Sequence, residues 1–406
     1  MSILPTEPSA AHGPLAGLRV LEAANVFAGP FASTLLGDFG AEVLKVEMPG
    51  VGDPLRMMNP FDGDEPLMWA SMGRNKRSMT LDLRTETGRD IFLELVAEHD
   101  VLIENFRPGT LDRWGLAVED LRAANPDLVI TRVSGFGQTG PNAQMAGYGT
   151  PATAFTGYVY GTGFPDREPV LPPISLVDYV AGLFAAFGTL VALHHRDVAG
   201  GPAQEVDVAL YESLLRFLEG MIAQYDRLGT LTERQGNQFP ASVPCGLFKG
   251  SDDVWMVLST SSDRTFNRLA ELMGRAEMPF DPRFHTNRAR VENRREVNAV
   301  VEQWFGERTG DEIQKLCDQA GVPVSRVNSM ADVFADSHVQ ERGSLVEIAH
   351  PALGTVTMPA VVPHLTATPG SVNSPGPSLG QHTEDILAAL GRNSEQIEEL
   401  RARGVI

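Results

Sequence analysis

Residues 18–47 read LRVLEAANVFAGPFASTLLGDFGAEVLKVE, from Leu18 to Glu47. Leu18–Glu22 is a short apolar run, and AANVFAGP ends it with a Gly-Pro pair. FASTLLGDF then carries a helical pattern, and GAEVLKVE is a second strand. Strand, loop, helix and strand in about 30 residues form one βαβ unit. The pattern continues outward. SMTLDL is a third strand, a helix from Thr85 to His99 leads into VLIEN, and a helix near Val118–Ala124 leads into DLVITRVSG. Such alternation predicts a parallel sheet, with ligands outside the carboxyl ends of its strands. Three loops leave those ends: Asn25–Pro30, Glu104–Gly109 and Ser134–Gly140.

The stretch LPPISLVDYVAGLFAAFGTLVALHH, Leu171–His195, lies next outward. It predicts a long helix, apolar nearly all round and therefore buried. Ser175-x-x-Asp178 predicts a helix start, with Ser175 as cap. His194, His195 and Arg196 suit the negative end of the dipole. A carboxylate at Asp178 is expected to stay ionised, because helix N–H groups favour the anion. The residues alone leave two readings open: a capping acid, or a carboxylate nucleophile at the head of a buried helix.

The 406-residue length suits two to three domains, and 43% apolar with 21% charged residues is ordinary for a globular chain. A net charge of −19 and a pI near 4.9 argue against nucleic acid or an anionic membrane as partner. No stretch is expected to span a membrane, and residues 1–17 lack the pattern of a signal peptide, so a cytoplasmic location is expected. Cys245 and Cys317 are far apart and read as buried small hydrophobes, with no metal site. Gly135, Gly137 and Gly140 spell G-x-G-x-x-G, but Pro141 follows and no helix begins there. A mobile or tightly turning loop beside a ligand is the expectation, rather than a dinucleotide site. After the central helix come a strand and one long helix (AQEVDVALYESLLRFLEGMIAQY), a loop through RLGTLTERQGNQFPASVP, a hairpin around Gly250–Asp253, helices at Asp263–Leu272, Arg295–Arg308 and Asp311–Gln319, a strand pair, and TPGSVNSPGPSLGQH as a surface linker. Two short helices close the chain.

Taken together, PLAGLRVLE with VFAGPFA, GAEVLKVE, NKRSMTLDL, ENFRPGTLDRWGL, NPDLVITRVSGFGQTGP, LVDYVAG, VDVALYE, RQGN and the terminal LGQHTEDILAALG with IEELRARGVI resemble the class III CoA-transferases. SGFGQ and AFTGYVY are similar to carnitine CoA-transferase, and the terminal blocks to formyl-CoA:oxalate CoA-transferase. The resemblance implies an α/β fold with a large Rossmann-like parallel-sheet domain and a smaller α+β domain, in an interlocked ring-like homodimer. Residues 1–225 and 349–406 would build the large domain, and residues 226–348 the linker and small domain. It implies an enzyme that moves CoA from an acyl-CoA to a small carboxylic acid, with the CoA thioester as substrate and no prosthetic group. Dicarboxylates are common substrates in the family. Asp178 matches its nucleophile, which passes through an aspartyl anhydride and an aspartyl-CoA thioester. Val26, Phe27, Ala28, Asn75, Lys76, Arg77, Asn105, Phe106 and Arg113 match CoA-binding positions. Phe27, Tyr148, Gly236 and Asn237 match the substrate pocket. Met48 and Ala146 replace basic CoA contacts of the family, which moves part of the phosphate grip, with Arg107 as the candidate. Phe239–Ser242 replace a glycine run, so that loop should be stiffer. The rival reading is an α-methylacyl-CoA racemase of the same fold. Its second base is a histidine, and this chain has Tyr148 at that position.

Overall fold

The computed structural model describes residues 13–406. The signal-peptide reading of residues 1–17 falls mostly on residues 1–12, outside the described residues. Six strands form one parallel sheet: β1 (Arg19–Ala23), β2 (Glu42–Glu47), β3 (Lys76–Thr80), β4 (Val101–Glu104), β5 (Val129–Ser134) and β6 (Glu205–Ala209). Their spatial order is β3-β2-β1-β4-β5-β6, the doubly wound order of dinucleotide-binding folds. The strand direction of travel reverses between β1 and β4, and the loops after those two strands flank the crevice.

The four central strands β2, β1, β4 and β5 are mostly apolar and buried because both faces of the sheet are covered, whereas the edge strands β3 (KRSMT) and β6 (EVDVA) are not apolar runs. Leu21, Leu44, Leu102 and Ile130 stand in register and pack with Ile91, Phe92 and Leu95 of helix α2 (Glu86–Ala97) and with Ile386, Leu387 and Leu400 of the C-terminal helices. Val20, Val43, Val101 and Val129 face the other way, toward α1 (Ala28–Gly37) and α5 (Leu176–Asp197), with α3 (Val118–Ala124) and α4 (Gly149–Phe155) between them in chain order. Helix α1 begins at Ala28, three residues before the expected FASTLLGDF. Pro30 lies in its first turn, where the missing N–H costs nothing. Helices α1 and α5 approach closely: a side chain on Gly182 would meet the Ala28 carbonyl at 2.7 Å.

Chain contacts divide the protein into two units. The first holds the sheet, residues up to Tyr158, Pro172–Ala223 and Glu341–Ile406. The second holds Val159–Leu171 and Gln224–Gln340, so residues 159–171, assigned by sequence to the large domain, group with the second unit. There β7 (Cys245–Lys249) and β8 (Trp255–Ser259) form the expected hairpin, with β9 (Val324–Arg326) on the other edge of β8. The three expected helices cover it at Asp263–Leu272, Arg294–Gly306 and Gly310–Ala320. Cys317 is fully buried in this core, whereas Cys245 is half-buried.

Three expectations change. The long helix after β6 is two, Leu210–Leu215 and Glu219–Leu228; nothing in the sequence marks the break. Helix α5 is long and apolar enough to cross a membrane by length and composition, contrary to the sequence reading, yet one face lies in the core against the sheet. Its other face exposes Leu183, Phe187 and Val191. Residues 368–382 are no loose linker. Pro377 accepts hydrogen bonds from Trp69 Nε1 and Arg56, Ser371 accepts one from Asn75, and Gly376 donates to Ala70.

Candidate active site

Asp178 lies in the first turn of α5. Ser175 is the cap residue, but its side chain makes no cap bond; its carbonyl accepts from the Asp178 and Tyr179 N–H groups instead. Burial pushes the Asp178 carboxyl up from 3.8 to about 6, against the pull of its own backbone N–H. The shift runs opposite to the one a helix terminus alone would give, although the group is still mostly ionised at pH 7 as the sequence led one to expect. Desolvation of a half-buried carboxyl outweighs the helix terminus. Burial, and the Asp178 charge next to it, also raise Tyr179.

Glycine contacts bring α4 to the carboxylate. A side chain on Gly149 would place its Cβ 1.7 Å from Asp178 Oδ2. The approach is set one loop earlier, where Gly135 and Gly147 meet so closely that a Cβ on Gly135 would lie 2.4 Å from Gly147 Cα. Gly135 of the G-x-G-x-x-G run thus serves backbone packing, while Gly137 and Gly140 turn the loop at φ 85° and 89°. Tyr148 caps α4 through its backbone, and its side chain is exposed. Phe27, from the β1 loop, is buried with its ring 5.8 Å from that of Tyr179, and Phe31 packs edge-on to Tyr179 at 5.0 Å. At the start of α5, therefore, α4 packs on Asp178 and the β1 loop packs on its neighbour Tyr179.

The β1 loop is held on all sides by side chains. Asn105 accepts from the Asn25 N–H at 2.8 Å and donates to the Asn25 carbonyl at 2.7 Å. Lys45 donates to the Ala24 carbonyl at 2.6 Å, and Lys76 to the Pro30 carbonyl at 2.7 Å. Asp53 accepts from the Val26 N–H at 3.0 Å. Lys45 bridges Glu22 at 2.6 Å and Asp53 at 2.8 Å, and Lys76 meets Glu22 at 2.8 Å; all four side chains exclude solvent. Burial alone would raise Glu22, but Lys45 and Lys76 bring it down to about 2. Burial, aided by the charge of Lys45, holds Lys76 below the ordinary lysine range. Removing one partner of such a buried pair costs about 3–5 kcal/mol. Val26 itself is at φ 67°, where a β-branched residue is strained by order 1–3 kcal/mol.

These contacts correct three sequence assignments. Lys76 is enclosed and committed to Glu22 and Pro30, so it does not reach a phosphate. The Asn105 amide is committed to Asn25. Asn75, at φ 59°, spends its side chain on Asp38, Ser371 and Asn373. Arg77 stands with Asn75 on a cavity of about 570 Å³ at the amino edge of the sheet, which Asp178 does not line. Phe106 packs edge-on against Trp114 at 5.0 Å. Arg113 is exposed and donates to the Thr110 hydroxyl, and Arg107 is exposed in the same loop. Gly236 and Asn237 belong to the second unit; Gly236 donates to the Gly163 carbonyl, and Asn237 accepts from Leu247. In the following loop Arg294 binds the Phe239 and Pro240 carbonyls and Asn287 binds that of Ala241, consistent with a stiff segment. Among the described residues no cluster of three or more His, Cys, Asp and Glu side chains is arranged to hold a metal.

Sequence reasoning passed over Glu22, Lys45, Asp53 and Gly149. The signal for the first two was present: each is a charge inside an otherwise apolar strand, and the register pairs Glu22 with Lys45. Nothing local marks Asp53 or Gly149.

The doubly wound sheet makes this an α/β protein with its ligand crevice at the switch point, and the half-buried Asp178, with its raised pKa, is the candidate catalytic group near it. Residues 15–383 match the model of CoA-transferase family III. The chain is 44% identical to succinyl-CoA–D-citramalate CoA-transferase of Chloroflexus aurantiacus, over 97% of this chain and 98% of that one. It is 43% identical to the alpha subunit of succinyl-CoA–L-malate CoA-transferase of Chloroflexus aurantiacus, over 97% and 92%. The crystal structure of a CAIB/BAIF family protein from Brucella suis aligns with a TM-score of 0.81 at 35% identity, covering 93% of this chain and all of that one. The chain belongs to CoA-transferase family III and is a CoA-transferase.

Proposed function

We propose that Asp178 is the nucleophile of a CoA transfer from succinyl-CoA to a small dicarboxylate. The observation that carries this is the Asp178 carboxyl itself: half-buried, crowded by Gly149, and with a pKa of about 6. At pH 7 roughly nine in ten such groups are ionised, yet they are less solvated than a surface carboxylate and so more nucleophilic. Asp178 attacks the thioester carbonyl and expels CoA thiolate, leaving a mixed anhydride. The thiolate attacks the Asp178 carbonyl, releases succinate and leaves an aspartyl-CoA thioester. The acceptor carboxylate attacks that thioester, and the freed thiolate takes the acceptor acyl group and restores Asp178. Each intermediate reverts easily because enzyme acid and substrate acids are alike.

The donor and acceptor class rests on relatives named for succinyl-CoA with citramalate and with malate. The phosphates of CoA fall to Arg113 and Arg107, the exposed cations of the loop after β4. Racemisation is disfavoured because the nearby residue is Tyr148, while His99 is buried against Leu95 O and burial pushes it down to about 4. His194 and His195 lie at the other end of α5, about 24 Å from Asp178 at 1.5 Å per residue. The exposed apolar face of α5 fits burial in a homodimer; a solution mass of one 43.9 kDa chain would contradict that. We place the enzyme in the cytoplasm, on the sequence reading alone.

The test is a screen of succinyl-CoA against malate, citramalate and other carboxylic acids, reading products by mass in D₂O. New acyl-CoA that depends on the acceptor, with no deuterium at the α-carbon of a 2-methylacyl-CoA, is the expected result. Deuterium uptake matching turnover without any acceptor would make the enzyme a racemase.

A further inference from the structure

We infer that Asp53 is a positioning residue for the transfer reaction, holding Val26 in the left-handed conformation that seats Phe27 against Tyr179, the residue next to Asp178. Asp53 lies 27 residues from Val26 in sequence, and its carboxylate is spent on the Val26 and Leu55 N–H groups and on Lys45. Both its oxygens meet the Val26 N–H, at 3.0 and 3.2 Å, and Oδ1 also accepts from the Leu55 N–H at 2.9 Å. The carboxylate is itself fixed, by Lys45 at 2.8 Å, and its backbone N–H donates to Glu47 at 2.9 Å. Glu47 in turn accepts from Arg56 and from the Ser78 hydroxyl. A side chain so immobilised can impose a backbone conformation that the residue it binds does not favour.

Val26 is such a residue. Its φ of 67° suits glycine or asparagine and is disfavoured by a branched Cβ. The next residue, Phe27, starts α1 and is buried against Tyr179, whose neighbour is Asp178. Let Val26 relax to negative φ, and the chain direction at Phe27 changes, the Phe27–Tyr179 contact opens, and the wall of the site is lost. The charge of Asp53 is also the counterion that keeps Lys45 on Glu22 and on the Ala24 carbonyl at the loop's start. The network thus ties the two sides of the loop to one buried charge. This inference rests on the reading of Asp178 as the reaction site.

Strain gives the test its discrimination. If Asp53 acts by holding Val26 at positive φ, glycine at position 26 makes that hold unnecessary, because glycine enters the region at no steric cost. If Asp53 acts only as a buried counterion, glycine at position 26 changes nothing. The experiment compares wild type, Asp53→Asn, Val26→Gly and the double variant, by kcat/KM for CoA exchange and by calorimetric affinity for CoA alone. Asp53→Asn should lower kcat/KM about 30-fold or more against wild type, but no more than about 3-fold when Val26→Gly is the background. CoA affinity should show the same coupling in smaller measure. An insoluble Asp53→Asn protein beside a folded, CoA-binding double variant is the same result read at the level of folding. Equal losses in both backgrounds, or two insoluble proteins, overturn the inference. A wild type that binds CoA but exchanges it with no dicarboxylate overturns the proposed substrate class instead, and the CoA affinities still decide the role of Asp53.

Discussion

Asp178 shows how one carboxyl answers two demands at the residue scale. It was legible in the sequence as an ionised acid in the first turn of the central helix, but the direction of its pKa shift was not. A helix terminus is a local feature; the burial that overrides it involves α4, whose Gly149 crowds the carboxylate and which the sequence does not place. With a pKa of about 6, activity should follow the deprotonated fraction, so kcat/KM falls toward tenfold per pH unit below 6. A pH–rate profile with no limb between pH 5 and 7 would contradict this. Stability runs the opposite way. The folded-state pKa lies above the ordinary 3.8, so the native state binds the extra proton, and stability falls as pH rises from about 4 through 6. Replacing Asp178 by Asn removes that cost. At pH 7.5 the variant should be more stable by about 1–3 kcal/mol. The gain should shrink toward zero as the pH falls below 6, which denaturant melts at two pH values would measure. Lys76 and Asn105 carry the converse lesson. The family resemblance implied that both bind CoA; the folded contacts show Glu22, Pro30 and Asn25 already holding them.

At the scale of elements, the sheet was readable because its central strands are buried on both faces and so are mostly apolar runs set apart by turn signals. Helix starts were less so. Pro30 looked like a breaker and is a first-turn residue. Helix α4 escaped notice because seven residues give too few turns for a period. Yet α4 delivers the backbone of Gly149 to Asp178, and a contact predicted to bring a Cβ within 1.7 Å of a carboxylate oxygen cannot be relieved without rotating that carboxylate. Gly149 is not at positive φ, so alanine is tolerated by the backbone and the clash is the whole effect. Gly149→Ala should therefore lower kcat by order 10²-fold while CoA affinity stays within about threefold. Steady-state kinetics with calorimetry checks this; an unchanged kcat would mean that the carboxylate has room to move. Residues 368–382 were misread for a related reason. Proline and glycine mark irregular backbone, and irregular backbone can still be fastened, here to Trp69, Arg56 and Asn75.

At the scale of the molecule, two units carry separate work that the sequence outlined and the contacts redrew. The sheet unit holds Asp178, the strained β1 loop and the charge network beneath it; the second unit holds Gly236, Asn237 and the fastened loop after them. The resemblance to CoA-transferases was legible only because its motifs follow one another over nearly the whole chain, and the family match spans residues 15–383. What no motif could supply is the environment of each motif residue, since burial and charge partners arise from distant segments. The central claim is covalent chemistry at Asp178. The measurement that meets it most directly is to incubate the enzyme with succinyl-CoA, trap with hydroxylamine or borohydride, and map the modified peptide by mass spectrometry. Modification at Asp178, absent without the acyl-CoA, is the predicted result; an enzyme that turns over while its label lies on another residue, or on none, would contradict it.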